Sequence, residues 1–224
     1  MPAKKQPEVG SEARLTKQRV VAEAVRIADR EGIDGLSMRR LAGVLGAGAM
    51  SLYHYVASKD ELLVAMIDVV FEEIELPPAY ADWQTGMRRR AVSARQVLAR
   101  HPWAIPLLDS QMSSGPANLR HREAVTACLR RAGFSVVMAT HANWLLDVYV
   151  YGFALQEAGL PFANADELAD MTENVFLPQL PADEYPYLNE SATALIAAGY
   201  DPAGEFTFGL DLILAALESL RDSV

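Results

Sequence analysis

The chain has 224 residues, 51% of them apolar and 22% charged, with a formal net charge of −9. That length and apolar share suit a folded protein with a sizeable core and exclude a disordered chain. The single cysteine, Cys128, excludes an internal disulfide scaffold; its apolar neighbours suggest a packed free thiol in a reducing cytoplasm.

Net charge alone argues against a nucleic-acid partner, but its distribution reverses this. Residues 1–59 hold ten Lys/Arg against six Asp/Glu, a net of +4. Residues 60–224 hold ten against 23, a net of −13. A small basic segment on a larger acidic body turns one end toward a polyanion and repels it elsewhere. No targeting segment or membrane span is expected. The opening MPAKKQPEVGSEAR has no apolar run, and the most apolar stretch, Trp144 to Leu155, is short and contains Asp147.

In chain order, residues 1–14 are polar and without period, and are expected to be a disordered arm. Lys4, Lys5 and Arg14 either reach a groove or form an inert tail. Thr16 caps a first helix to about Arg30, with Val20, Ala24, Ile27 and Ala28 as its apolar stripe, and Gly32 ends it. Ser37 caps a second helix in which Leu41 and Leu45 share a face, and Gly46 closes it in the left-handed conformation. Gly48 to Val56 make a third helix with Leu52 and Val56 inward, and small Ala42 lets the two helices cross closely. Two short helices around a glycine turn are what a helix-turn-helix needs.

The polar residues of this stretch carry its chemistry. Arg39 and Arg40 stand in a first helical turn, the wrong end for a cation, so an outside anion such as phosphate should compensate them. Tyr53, His54 and Tyr55 place three hydrogen-bonding rings at the end of the next helix, and Lys59 follows. Basic groups interleaved with aromatic ones at a helix end suit backbone contact to nucleic acid.

Ser58 and Glu61 form a capping box for a fourth helix, Lys59 to about Glu75, which Pro77-Pro78 terminates. Asp82 starts a fifth, to about Arg100, whose run Arg88-Arg89-Arg90 is expected to be solvated or salt-bridged. Trp103 to Met112 contains Pro106 and reads as short or irregular helix. A helix from Pro116 to Arg131 follows. A long one runs from Ser135 to Ala158, apolar on nearly all sides and so expected to be buried on more than one face. Asp166 caps a helix to about Phe176. Residues 177–189 read as a proline-rich loop and Glu190 to Ala198 as a short helix. Asp201-Pro202 opens the last helix, to about Arg221. No strand pattern occurs. The fold class is all-α: nine or ten helices, with a helix-turn-helix domain at 15–60 and a larger helical domain at 61–224.

The run GLSMRRLAGVLGAGAMSLYHYVASKDELL resembles the DNA-binding domain of the TetR family of bacterial repressors. DPAGEFTFGLDLILAALESL is similar to the closing helix of its TetR subgroup, where that helix and a long preceding one form a dimeric four-helix bundle. The resemblance implies that Ala49, Met50 and Ser51 occupy the base-facing start of the recognition helix. Tyr53, His54 and Tyr55 match its ring-bearing end, Tyr53 and Lys59 the phosphate contacts, and Arg39 a basic residue that reaches a base or the backbone. Two departures stand out: Ala47 replaces a bulkier aliphatic residue, and Tyr55 stands where His or Phe is frequent.

The resemblance also implies a homodimer on a palindromic double-stranded operator, released by a small-molecule effector. The long and last helices carry more apolar surface than one neighbour covers, which points to Val148, Phe206, Gly209, Leu210, Ile213, Ala216 and Leu217 as interface. Polar and aromatic residues inside otherwise apolar helices mark an effector pocket: His141, Asn143, Trp144, Asp147 and Tyr151, with Trp103 and Met112 from the broken helix. The four histidines have no partners at metal-ligand spacing, and no nucleophile elbow or glycine-rich phosphate loop occurs, so no metal, cofactor or enzyme activity is expected. The alternatives are an activator, a regulator without a ligand, or an all-α enzyme or scaffold.

Overall fold

The computed structural model describes residues 15–79, 81–108, 115–162, 165–199 and 201–221. The expected arm 1–14 and Met112 lie outside the described residues. Among those described there are ten α-helices and no strand. The chain divides into two compact units, one up to Ile67 and one from Asp68 onward.

The first unit contains α1 (Lys17–Glu31), α2 (Met38–Val44), α3 (Ala49–Leu52) and the start of α4 (Lys59–Glu73). The Thr16 hydroxyl accepts from the Arg19 amide at 3.2 Å, and Ser37 accepts from Arg40 at 3.2 Å. Val20, Ala24 and Ile27 of α1 are fully enclosed with Leu41 and Leu52. After α2, Gly46 takes φ +65, and the Gly46 and Ala47 amides donate to Gly43 and Ala42. This paired closure satisfies two orphan carbonyls and requires the positive φ that glycine adopts cheaply. The helix expected over Gly48–Val56 is shorter: the Tyr55 and Val56 amides converge on the Leu52 carbonyl, so α3 tightens into a turn after Leu52. At α4, Ser58 accepts from the Glu61 amide at 3.0 Å, while the Glu61 carboxylate accepts from Ala57, one residue earlier than a strict capping box.

The second unit holds the rest of α4, then α5 (Trp83–Arg100), a 3-10 segment (Pro102–Leu107), α6 (Pro116–Arg131) and α7 (Val136–Ala158). It ends with α8 (Ala165–Met171), a π turn (Thr172–Phe176), a 3-10 turn (Leu177–Gln179), α9 (Pro186–Ala198) and α10 (Pro202–Leu220). Helix α7 packs on α5, α6, α10 and the 3-10 segment. Met87, Ala94 and Leu98 of α5, Leu129 of α6, Leu146 and Val150 of α7, and Phe206, Leu210 and Leu214 of α10 form the core. Each large side chain among them contributes ~1.5–3 kcal/mol through burial.

Several expectations need correction. Asp166 lies inside α8 rather than capping it, because the helix already begins at Ala165 and the acids of its first turn complement the helix dipole instead. The π turn breaks the run to Phe176. Helix α9 starts at Pro186, not Glu190, because proline suits a first helical position, and Asn189 donates to the Tyr185 carbonyl. Helix α7 is buried along one stripe only, Met138-Ala142-Leu146-Val150-Ala154, while Val136, Trp144, Val148 and Leu155 are exposed. Among the expected interface residues, Phe206, Leu210 and Leu217 are enclosed within the protomer, since α10 turns that stripe onto α5 and α7. Gly209 also faces inward: a Cβ there would stand 2.3 Å from the Tyr149 hydroxyl.

Candidate nucleic-acid face and ligand cavity

In the first unit the candidate DNA residues lie largely on the surface. Arg39, Ser51, His54 and Lys59 are exposed, Met50 is 78% exposed, Tyr53 is 44% exposed, and Ala49 and Tyr55 are half-buried. Arg39 and Lys59 have no ion-pair partner among the described residues. Arg40 is different: its guanidinium pairs with Glu31 of α1, so the cation at the N-terminal end of α2 is compensated from inside the protein rather than by phosphate. The face offers two unpaired cations, two hydrogen-bonding rings, a hydroxyl and one prominent apolar side chain, Met50. Cations and rings position a phosphate backbone, and an apolar tip on a short helix can contact a thymine methyl.

In the second unit a cavity of about 220 Å³ opens between α4, α6 and α7. Phe71 comes from α4, Asn118, His121 and Arg122 from α6, and Leu108 from the end of the 3-10 segment. Helix α7 supplies Thr140, Asn143, Trp144, Asp147, Val148 and Tyr151 at successive turns of one face. Asp68 of α4 fixes the start of α6, its carboxylate accepting the Asn118 amide at 2.9 Å.

Four of the seven residues expected in an effector pocket line this cavity: Asn143, Trp144, Asp147 and Tyr151. His141 is exposed and lies off its wall. Trp103 is buried against His101, their rings 6.1 Å apart, and packs in the core instead. Val148, expected at a dimer interface, lines the cavity and is 56% exposed.

Sequence reading missed the group behind the cavity. Arg90 is 1% exposed; its Nε donates to His121 Nε2 at 3.2 Å, and its Nη2 pairs with Asp147. Nη1 is the one enclosed side-chain nitrogen or oxygen among the described residues with no hydrogen-bond partner. Burial disfavours the guanidinium charge, but Asp147 and Tyr151 outweigh it and hold the Arg90 pKa above its ordinary value. His121 is pushed down to about 3 by burial first, then by Arg90 and Arg122, so it is neutral and accepts through Nε2. The run Arg88-Arg89-Arg90 therefore splits, with Arg88 pairing with Asp211, Arg89 with Glu75, and Arg90 turned inside. The signal was the helical period: Met87, Ala91, Ala94 and Leu98 are apolar, and Arg90 falls on their stripe.

A second cleft of about 280 Å³ is lined by Cys128, Trp83, Arg131 and Arg221. Burial pushes the Cys128 thiol up, which fits a packed, unreactive sulfur. Among the described residues no cluster of His, Cys, Asp and Glu could hold a metal, and no helix is long and apolar enough to cross a membrane.

Comparison with known proteins agrees with this two-unit arrangement. Residues 20–66 match the family described as bacterial regulatory proteins, tetR family, and residues 76–221 match the tetracyclin repressor-like C-terminal domain. The HTH-type transcriptional repressor DrrR1 of Streptomyces coeruleorubidus is 34% identical over 226 residues, covering 96% of this chain and 82% of that protein. An HTH-type transcriptional regulator of Saccharopolyspora erythraea is 34% identical, covering 91% of this chain and 84% of its own. The crystal structure of the Streptomyces coelicolor TetR family protein ActR in complex with actinorhodin has a TM-score of 0.75 at 32% identity, covering 94% of this chain and 100% of that one. With a helix-turn-helix carrying unpaired surface cations and an all-helical second unit around a polar cavity, the chain belongs to the TetR family of bacterial transcriptional regulators.

Proposed function

We propose that the protein is a cytoplasmic homodimeric repressor that leaves its palindromic operator when a small molecule fills the cavity among α4, α6 and α7. The observation that carries this reading is α4 itself. It bears Lys59 at its first position, in the first unit, and Phe71, a cavity wall, near its end, in the second. Asp68 of the same helix holds the α6 amide beside the cavity. A ligand that displaces Phe71 or the start of α6 therefore acts on the helix that carries Lys59. It must bind the DNA-incompetent state more tightly, or it shifts nothing. ActR, of the same fold, was crystallised with actinorhodin, which supports a small-molecule effector here.

In this reading Arg39, Tyr53 and Lys59 contact phosphate, Ala49, Met50 and Ser51 face the bases, and His54 and Tyr55 close the recognition segment. Residues 61–224 form the effector and dimerisation domain. Asn143, Trp144, Asp147 and Tyr151 contact the effector, joined by Asn118 and His121. The dimer interface consists of the apolar residues that α7 and α10 leave exposed: Val148, Leu155, Phe208 and Leu212, with Ala216 beside them.

The test is fluorescence anisotropy with the DNA upstream of the protein's own gene. Binding should weaken steeply with salt. Arg39→Ala and Lys59→Ala should each weaken binding to every sequence and flatten the salt slope by about one. Changes at Met50 or Ser51 should instead alter which sequence is preferred. Salt-insensitive binding, or equal loss for all four variants on specific and random DNA, would defeat the reading.

A further inference from the structure

The end of α2, the turn and the start of α3 read GVLGAGAMS over residues 43–51, and only Ser51 in that run has a polar side chain. Within it Met50 is 78% exposed, more than any other large apolar side chain among the described residues of the first unit. The fold sets this exposure. Leu52 of α3 is fully enclosed, and two helical residues turn Met50 by about 200°, onto the opposite side. The run is bracketed in the chain by Arg39 and Lys59, both exposed and without an ion-pair partner among the described residues, in a segment of net +4. An apolar tip is thus presented on a surface whose free charges suit a polyanion.

In a helix-turn-helix the second helix enters the major groove and faces the base edges. Bidentate readout there takes a guanidinium, amide or carboxylate, and α3, Ala-Met-Ser-Leu, has none of these. The apolar group that the major groove displays is the thymine C5 methyl. The long, unbranched and polarizable side chain of Met50 can mould itself to such a group.

We propose that the protein reads its operator chiefly by apolar contact, with Met50 as the specificity-determining residue set against a thymine methyl in each half-site. Arg39 and Lys59 fix the register on phosphate, and Ser51 adds a hydrogen bond. This rests on the reading that the protein binds the DNA upstream of its own gene with α3 toward the bases.

The upstream fragment is prepared twice, once with thymine and once with uracil at every thymine position, which removes the methyl and keeps the base pairing. Each is titrated with full-length protein by anisotropy, with random DNA as competitor. Loss of one methyl contact should weaken binding about fourfold, and loss in both half-sites about tenfold or more. Met50→Ala should weaken binding to the thymine fragment and shrink the difference between the two fragments to under about twofold. Met50→Leu, apolar and of similar volume, should retain most of it. Uracil throughout the fragment also alters the duplex itself, so the contrast between wild type and Met50→Ala carries the test. Preferential binding to both upstream fragments with equal affinity, or a uracil penalty of the same size in Met50→Ala, overturns the inference and leaves the regulator reading standing. No preference for the thymine fragment over random DNA overturns both.

Discussion

Arg90 holds its charge with 1% of its surface in contact with solvent, and this sets the behaviour of its neighbours. Its Nε bonds to His121 Nε2, so that nitrogen is unprotonated and any ring proton sits on Nδ1. Protonating His121 would bring a second cation against the first. Its folded-state pKa of about 3 lies below the ordinary 6.5. Below pH 6.5 the unfolded chain takes up a proton that the folded chain refuses, so stability falls as pH drops from 6.5 toward 3. At pH 5 the loss from this one residue is on the order of 2 kcal/mol. His121→Gln should therefore flatten urea-denaturation stability over that window; an unchanged acid slope would contradict the assignment. Above pH 7 His121 makes no such contribution. Asp147→Ala strands a buried guanidinium and should cost ~3–5 kcal/mol in the same measurement.

Helix termini are the elements most directly written in the sequence. Thr16, Ser37, Asp82, Ser135 and Asp201 each accept a backbone amide two or three residues on. Such caps are legible because donor and acceptor are close in the chain, and each stabilises its helix by about 1 kcal/mol. The contact between α7 and α10 is of another kind. Tyr149 stacks on Phe206 at 5.4 Å and donates its hydroxyl to the Phe206 carbonyl at 2.9 Å. Arg95 lies over both Phe153 and Phe206 at 5.4 Å and grips Glu157 through two nitrogens. Gly209 admits the pinned Tyr149 hydroxyl, because any Cβ would approach it to 2.3 Å. Gly209→Ala should lower stability by ~1–3 kcal/mol, as overpacking does. Adding Tyr149→Phe should restore part of it, since the obstructing oxygen is gone; no recovery in a double-mutant thermal melt would place the strain elsewhere.

Across the whole molecule, apolar surface and charge are sorted by unit. The first 59 positions carry a net of +4 and residues 60–224 a net of −13, and the second unit has a run of exposed apolar side chains on α7 and α10. Phe208 is 66% exposed and Leu212 58%, one helical turn apart on α10, while Phe206, Leu210 and Leu214 on the other side are enclosed. A patch of this kind marks an association surface. Leu212→Glu and Val148→Glu should yield a folded monomer in sedimentation, with weakened operator affinity because two half-sites are no longer joined. Leu210→Glu should instead unfold the protein, since that side chain is in the core. A dimer that survives both surface changes would move the interface elsewhere.

By itself the sequence determined the all-α class, the caps of six of the ten described helices, the glycine closure at Gly46 and the regulator family. All of these depend on residues near one another in the chain or on a local period. Only the tertiary structure decided which of Arg88, Arg89 and Arg90 is buried, since their partners Asp211, Glu75 and Asp147 come from three different helices or helix ends. It likewise decided which apolar stripe of α10 faces its own core and which is left for a partner. A period fixes that two faces exist, but not which one the neighbouring helices cover. The cavity was half legible for the same reason. Asn143, Trp144, Asp147 and Tyr151 share one helix face and could be read together, whereas His121 and Arg90 join them only once α5, α6 and α7 are packed.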